Sequence, residues 1–137
     1  MAKVRDYMTR GVYTVDVNST LSDVVRVMAK YRISGVAVVS EDGDTMGVIS
    51  DTDVLDAIIK GRNFETTKVG EVMMPFTLII EEDAPLEEAA RVMDRERVHR
   101  LFVVKEEKPE KASLSKPYLQ RPVGIITSSD LVRYMAE

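Results

Sequence analysis

Cysteine is absent from all 137 residues, and histidine occurs only once. Without thiols there is no disulfide framework, no thiolate metal site and no cysteine nucleophile, a composition that suits an intracellular protein. One imidazole leaves a nucleophile–base pair few members to draw on. Gly-rich phosphate loops, a G-x-S-x-G elbow and an H-E-x-x-H pair are missing as well. So is any excess of positive charge: 19 basic against 23 acidic residues give −4, without the overall field of a nucleic-acid binder. The longest apolar runs, such as "GVAVV", have strand length and fall far short of a membrane span. The opening "MAKVRDYMTRG" is charged and lacks the apolar stretch of a secretory signal. The expectation is a cytoplasmic protein without catalytic residues or a dedicated metal site, and with neither membrane nor nucleic acid as partner.

What the chain does contain is a second copy of itself. With residue i written above residue i+65, Val4 to Val39 lies over Val69 to Val104 without a gap. Met8 meets Met73, Leu21 meets Leu86, "RVM" at 26–28 meets "RVM" at 91–93, and Arg32 meets Arg97. The register then shifts by 12, so that Gly47, Ile49 and Asp53 fall on Gly124, Ile126 and Asp130. The sequence is a tandem duplication, 1–64 and 65–137, with an insertion at about 105–122 in the second copy. That insertion mixes both charges with three prolines and reads as a solvated loop, with Tyr118 and Leu119 as an apolar tip.

Each copy reads as strand, helix, strand, strand, helix, an α/β (α+β) pattern. Leu21, Val24, Val25 and Met28 follow the i, i+3, i+4, i+7 spacing of an amphipathic helix, as do Leu86, Ala89, Ala90 and Met93. Ser19 is placed to cap the first helix, and Pro85 suits the first turn of its counterpart. Between "GVAVVS" and "MGVIS", Asp42-Gly43 supplies the positive φ that a tight hairpin needs. The closing helices run to about Lys60 and about Met135. One copy alone has little core. Two copies packed about an approximate two-fold axis would share one, with equivalent junctions framing a cleft, where small ligands prefer to sit.

The junctions are "GVISDTD" and "GIITSSD", Gly47–Asp53 and Gly124–Asp130. As local structure they are helix caps: Ser50 and Thr127 accept first-turn N–H groups, and Asp53 and Asp130 place negative charge at a helix start. Aspartate has less reach than glutamate to close a capping box. A carboxylate in this place can also accept two hydrogen bonds from a ribose diol, and the neighbouring N–H groups suit a phosphate.

With "VRDYMTRGVYTV", "VGEVMMPFTLII", the "RVM" helices and "VHRLFVV", these junctions make the chain resemble a tandem pair of cystathionine β-synthase (CBS) domains, a Bateman module, from about Val4 to about Tyr134. The resemblance implies a β-α-β-β-α fold per copy and a pseudo-two-fold pair. It implies two clefts for adenosine-containing ligands: AMP, ADP, ATP or S-adenosylmethionine. In the family's pattern the aspartate holds the ribose hydroxyls, which marks Asp53 with Ser50 and Thr52, and Asp130 with Thr127 and Ser129. Val48 and Ile125 would pack on adenine, and Val12 and Thr77 would line the base through their backbone. His99-Arg100, where copy one has Ser34-Gly35, is similar to the version that reaches phosphate, there serving the cleft of Asp53. Arg10, Lys68 and Arg97 are weaker candidates. Unequal sites follow, with a phosphorylated ligand on the Asp53 side and magnesium entering only with its phosphates.

Asp51, Asp53 and Asp56 lack the further carboxylates or histidines that would complete a cation shell. The reading is a stand-alone regulatory module, a homodimer through its helices, acting on an unknown partner. An interaction module whose clefts stay empty and a small nucleotide-processing enzyme using His99 are the competing readings.

Overall fold

The computed structural model describes residues 1–75, 78–107 and 119–137. Thr77, the centre of the insertion with Tyr118, and the side chain of Leu119 lie outside the described residues. In chain order the elements are α1 (Val4–Tyr7), β1 (Thr9–Arg10), β2 (Thr14–Asp16), α2 (Leu21–Tyr31), β3 (Gly35–Val39), β4 (Thr45–Ser50) and α3 (Asp51–Ile59). A 3-10 turn at Val69–Glu71 follows, then β5 (Ile79–Glu81), α4 (Leu86–Glu96), β6 (Arg100–Glu107), β7 (Leu119–Thr127) and α5 (Ser128–Ala136). Each repeat is thus β-α-β-β-α: β2-α2-β3-β4-α3 and β5-α4-β6-β7-α5. In both, the first strand pairs parallel with the second, and the second and third form an antiparallel hairpin.

The chain divides into two compact units that do not follow the order of the repeats. One comprises Met1–Val12 with Leu78–Glu137, the other Tyr13–Thr77. The leading segment of each repeat is therefore folded into the unit of the other. In the first unit Val4 N–H donates to Ala84 O at 2.9 Å, and β1 adds to β7 as a fourth strand, Thr9 opposite Ile125. In the second, Val69 N–H donates to Ser19 O at 2.8 Å, and Met74 bridges Val48 at the matching place. Val4 and Val69 are fully buried, each in the core it has joined.

Those cores are separate clusters. Val4, Met8, Leu86, Met93, Leu101, Val103 and Ile126 fill one; Leu21, Val24, Met28, Val36, Val38, Ile49 and Val69 fill the other. The helix stripes are narrower than their periodicity suggests: Leu21, Val24 and Met28 are buried while Val25 is half-buried, and Ala90 of α4 is exposed. The i+4 position sits at the edge of the stripe, where packing on a sheet runs out.

Several local expectations change. Thr20, not Ser19, caps α2, its hydroxyl accepting Asp23 N–H at 3.3 Å. Ser19 is one residue too early, its N–H held by Asp16 O. Pro85 stands at the cap of α4 rather than inside it, and Leu86 opens the helix. Thr14–Asp16 forms the first strand of the second unit, whereas Val12 ends the leading segment of the first. In the β3–β4 hairpin Gly43 alone takes a positive φ, 87°, as Gly43 N–H closes a turn onto Ser40 O. The outer residues of the insertion are strand rather than loop: Lys105 pairs with Arg121 and Glu106 with Gln120, and an Arg121–Glu107 ion pair flanks the ladder.

Candidate functional site

Each junction is built from the strand upward. Gly47 in β4 and Gly124 in β7 let a crossing backbone come close. A Cβ on Gly47 would stand 2.3 Å from Met74 O, and one on Gly124 2.5 Å from Thr9 O. Two residues on, Ile49 and Ile126 anchor in their cores at no exposure. The strands then end on hydroxyls in extended conformation, Ser50 at φ −119° and Thr127 at φ −121°, and α3 and α5 begin.

Both capping boxes close, aspartate notwithstanding. Ser50 N–H donates to Asp53 Oδ2 at 2.8 Å, Ser50 Oγ donates to the same oxygen at 3.0 Å, and Asp53 N–H returns to Oγ at 3.4 Å. The second junction repeats this with 2.8, 3.0 and 3.3 Å between Thr127 and Asp130. The shorter side chain suffices because a single oxygen takes both donors, which leaves Oδ1 outside the cap. The next helical N–H is satisfied across the sheet: Asp51 N–H donates to Ser34 O and Ser128 N–H to His99 O, both at 2.9 Å. The residue before each central strand is thereby tied to the junction, and this tie brings His99 beside Thr127 and Ser128.

Around these cores the candidate side chains differ in exposure. Thr52, Ser129, His99 and Arg100 are exposed, whereas Ser50, Val48, Asp53, Thr127 and Ile125 are half-buried. Asp130 is the exception, an aspartate only 7% exposed as a whole residue. In the first unit a hollow of about 430 Å³ is lined by Thr9, His99, Arg100, Ile125, Thr127, Ser128 and Ser129, but not by Asp130. The structure thus gathers His99 and Arg100 with the hydroxyls and apolar residue of their own repeat's junction. Val12 belongs to this same unit, and Thr77 lies outside the described residues.

Sequence reasoning passed over the group that distinguishes the two carboxylates. Arg133, one turn beyond Asp130, places Nη2 at 3.2 Å from Asp130 Oδ1 and at 3.1 Å from Tyr7 O. Its guanidinium also lies over the Tyr7 ring, 5.9 Å from the centroid, while Tyr7 meets Tyr134 edge-on at 5.0 Å. The Tyr7 hydroxyl donates to Glu137, and that carboxylate holds the phenol above its ordinary value of 10.0, with desolvation adding to the effect. The i, i+3 spacing of Asp130 and Arg133 was the available signal. Among the described residues no group of three His, Asp or Glu side chains is arranged to hold a metal, and no helix is long and apolar enough to cross a membrane.

Comparison with known proteins agrees with this architecture. The CBS domain profile matches residues 4–60 and again 69–112. Over 131 residues, 96% of the chain, the sequence is 31% identical to inosine-5′-monophosphate dehydrogenase of Methanocaldococcus jannaschii, of whose length it spans only 23%. It is 26% identical to Hypoxic response protein 1 of Mycobacterium tuberculosis over 138 positions, covering 100% of this chain and 87% of that protein. The crystal structure of Hypoxic Response Protein I with two coordinated zinc ions superposes with a TM-score of 0.76 at 25% identity, covering 97% and 98% of the two chains. The CBS domain pair of protein MJ0100, solved with 5′-methylthioadenosine and S-adenosyl-L-methionine, gives 0.74 at 21% identity over 98% and 96%. The chain belongs to the CBS domain family and carries two CBS repeats.

Proposed function

We propose that this chain is a regulatory, non-catalytic module that binds an adenosine-containing small molecule through the ribose diol at Asp53. The observation that carries this reading is the state of the Asp53 carboxylate. Its Oδ2 is fixed by Ser50 N–H and hydroxyl, and its Oδ1 has no hydrogen-bond partner among the described residues. The cap holds the group in one orientation, so an acceptor is presented without the entropy cost of ordering it on binding. Ser50 and Thr52 stand beside it for further polar contacts, and half-buried Val48 offers an apolar surface to a base. A related fold solved with 5′-methylthioadenosine and S-adenosyl-L-methionine supports adenosine as the ligand class.

The output is a change in assembly. Leu55, Ile58 and Ile59 of α3 are 59%, 59% and 83% exposed, and Val132 and Met135 of α5 are 69% and 78% exposed. Apolar helix faces of this kind suit a homodimer. A ligand shifts such an assembly only by binding one arrangement better than another.

Calorimetry with AMP, ATP and S-adenosylmethionine tests the proposal. At least one should bind, and Asp53→Ala should weaken it tenfold or more while the fold loses only about 1 kcal/mol from the cap. The closed capping boxes favour a second reading, an interaction module whose junctions are caps only. That reading expects no binding, or binding that Asp53→Ala leaves unchanged.

A further inference from the structure

We infer that Arg133 closes the second junction, so that the module has one diol-binding carboxylate per chain, Asp53, and that Asp130 is a structural anchor. The inference deepens the reading of Asp53 as a ribose site and rests on it. The two motifs are alike through the cap: Oδ2 of each aspartate takes the backbone N–H and hydroxyl of the residue three before it. Only Oδ1 is left for a ligand, and there the repeats part. Asp130 Oδ1 is engaged by Arg133 at 3.2 Å, and the aspartate side chain is 9% exposed. In α3 the residue one turn beyond Asp53 is Asp56, which cannot donate to a carboxylate and pairs instead with Lys60 at 2.9 Å.

An exposed arginine on a carboxylate is ordinarily a weak tie, but Arg133 is held from more than one side. The nitrogen that reaches Asp130 also donates to Tyr7 O at 3.1 Å, and the guanidinium covers the Tyr7 ring. Tyr7 is fixed in turn by Glu137 and Tyr134. Among the described residues the other unit has no counterpart of these contacts, and Val72 and Ala57 stand in the positions of Tyr7 and Tyr134. A diol arriving at Asp130 would have to displace the guanidinium from Oδ1, exchanging an ion pair for neutral hydrogen bonds. The hollow beside this junction is lined by Thr127 and Ser129 but not by Asp130, as expected of a carboxylate already covered. The same contacts tie α5 to the leading segment of the chain, which gives Asp130 and Arg133 a structural task.

The test is calorimetry on the full chain with AMP and with S-adenosylmethionine, beside a thermal-melt cycle without ligand. Wild type should bind one ligand per chain. Asp53→Asn should lose tenfold or more in affinity, and Arg133→Met should raise the stoichiometry to two by freeing Oδ1. In the melts, Asp130→Asn and Arg133→Met should each lower Tm, and the double variant should fall no further than the worse single one. Two equal sites in wild type, or a stoichiometry that stays at one in Arg133→Met and in the milder Arg133→Gln, overturns the inference while the functional reading stands. Additive Tm losses overturn the latch whatever the ligand does. Absence of heat from every variant, with the melts still coupled, overturns the ribose reading of Asp53 and the single-site claim with it.

Discussion

Replacing Gly47 by alanine probes the exchange of leading segments on which both units are built. Neither Gly47 nor Gly124 has a positive φ, so the requirement for glycine is steric rather than conformational. The added Cβ would lie 2.3 Å from Met74 O and 3.0 Å from Met73 Sδ. A methionine sulfur can swing aside, but a backbone carbonyl cannot. Restoring a carbon–oxygen contact of roughly 3.3 Å requires the crossing segment to retreat by about 1 Å. That retreat strains the reciprocal pair between Val48 and Met74, whose N–H···O distances are 3.2 and 2.9 Å. Two hydrogen bonds at about 0.5–1.5 kcal/mol each and overpacking at about 1–3 kcal/mol bring the expected loss to about 2–6 kcal/mol. This is a large fraction of the about 5–15 kcal/mol that holds a typical domain together. Gly124→Ala should follow with a somewhat smaller loss, since its clash with Thr9 O is 2.5 Å. Urea unfolding followed by far-UV circular dichroism measures both. A loss below about 0.5 kcal/mol for Gly47→Ala would refute the argument that the segment crosses there.

Two further expectations concern charge and backbone. Burial, then the carboxylates of Glu106, Asp83 and Glu82, push Glu81 above its ordinary 4.5, so the folded chain binds that proton more tightly than the unfolded one. Stability is then lost as pH rises from the unfolded value through the raised folded one. Glu81→Gln should raise Tm at pH 7 and leave it unchanged below about pH 4, and an equal gain at both would remove the electrostatic cause. Arg32 ends α2 in the left-handed region, φ 53° and ψ 48°, which costs an L-residue about 1 kcal/mol. Arg32→Gly should therefore gain about 0.5–1 kcal/mol in urea unfolding, and a loss would mean that the arginine side chain holds the turn.

The repeat, the element order and the junctions were legible because each rests on local chemistry that duplication writes twice. Apolar spacing in the "RVM" helices, Gly43 in the hairpin and a hydroxyl three residues before an aspartate all act within a few positions. The helix starts slipped by single residues. Thr20 took the cap from Ser19 because Asp23 closes a reciprocal box on Thr20, whereas the N–H three beyond Ser19, that of Ser22, is taken by Phe64 O. The insertion looked like loop because its charges and prolines mask a ladder whose pairing is backbone to backbone. The exchange of leading segments was not legible at all, for a physical reason. Val4 and Val69, and Met8 and Met73, are the same residue types in the same register, so docking on one's own repeat or on the other satisfies the pattern equally. Only the length and direction of the connecting chain decide, and those are properties of the folded path.

The same symmetry limits what a motif can say about a site. Both junctions pass every local test: glycine against a crossing backbone, isoleucine in the core, hydroxyl cap, aspartate on that cap. Their chemistry is decided one helical turn later, where Arg133 stands in the place of Asp56, and one segment away, where Tyr7 stands in the place of Val72. A donor at the first position and an aromatic anchor at the second turn a presented carboxylate into a buried tie, without altering any residue of the motif itself. Duplication supplied two copies of an acceptor. Divergence at positions outside the pattern paired one carboxylate with Arg133 and left Oδ1 of the other without a partner among the described residues.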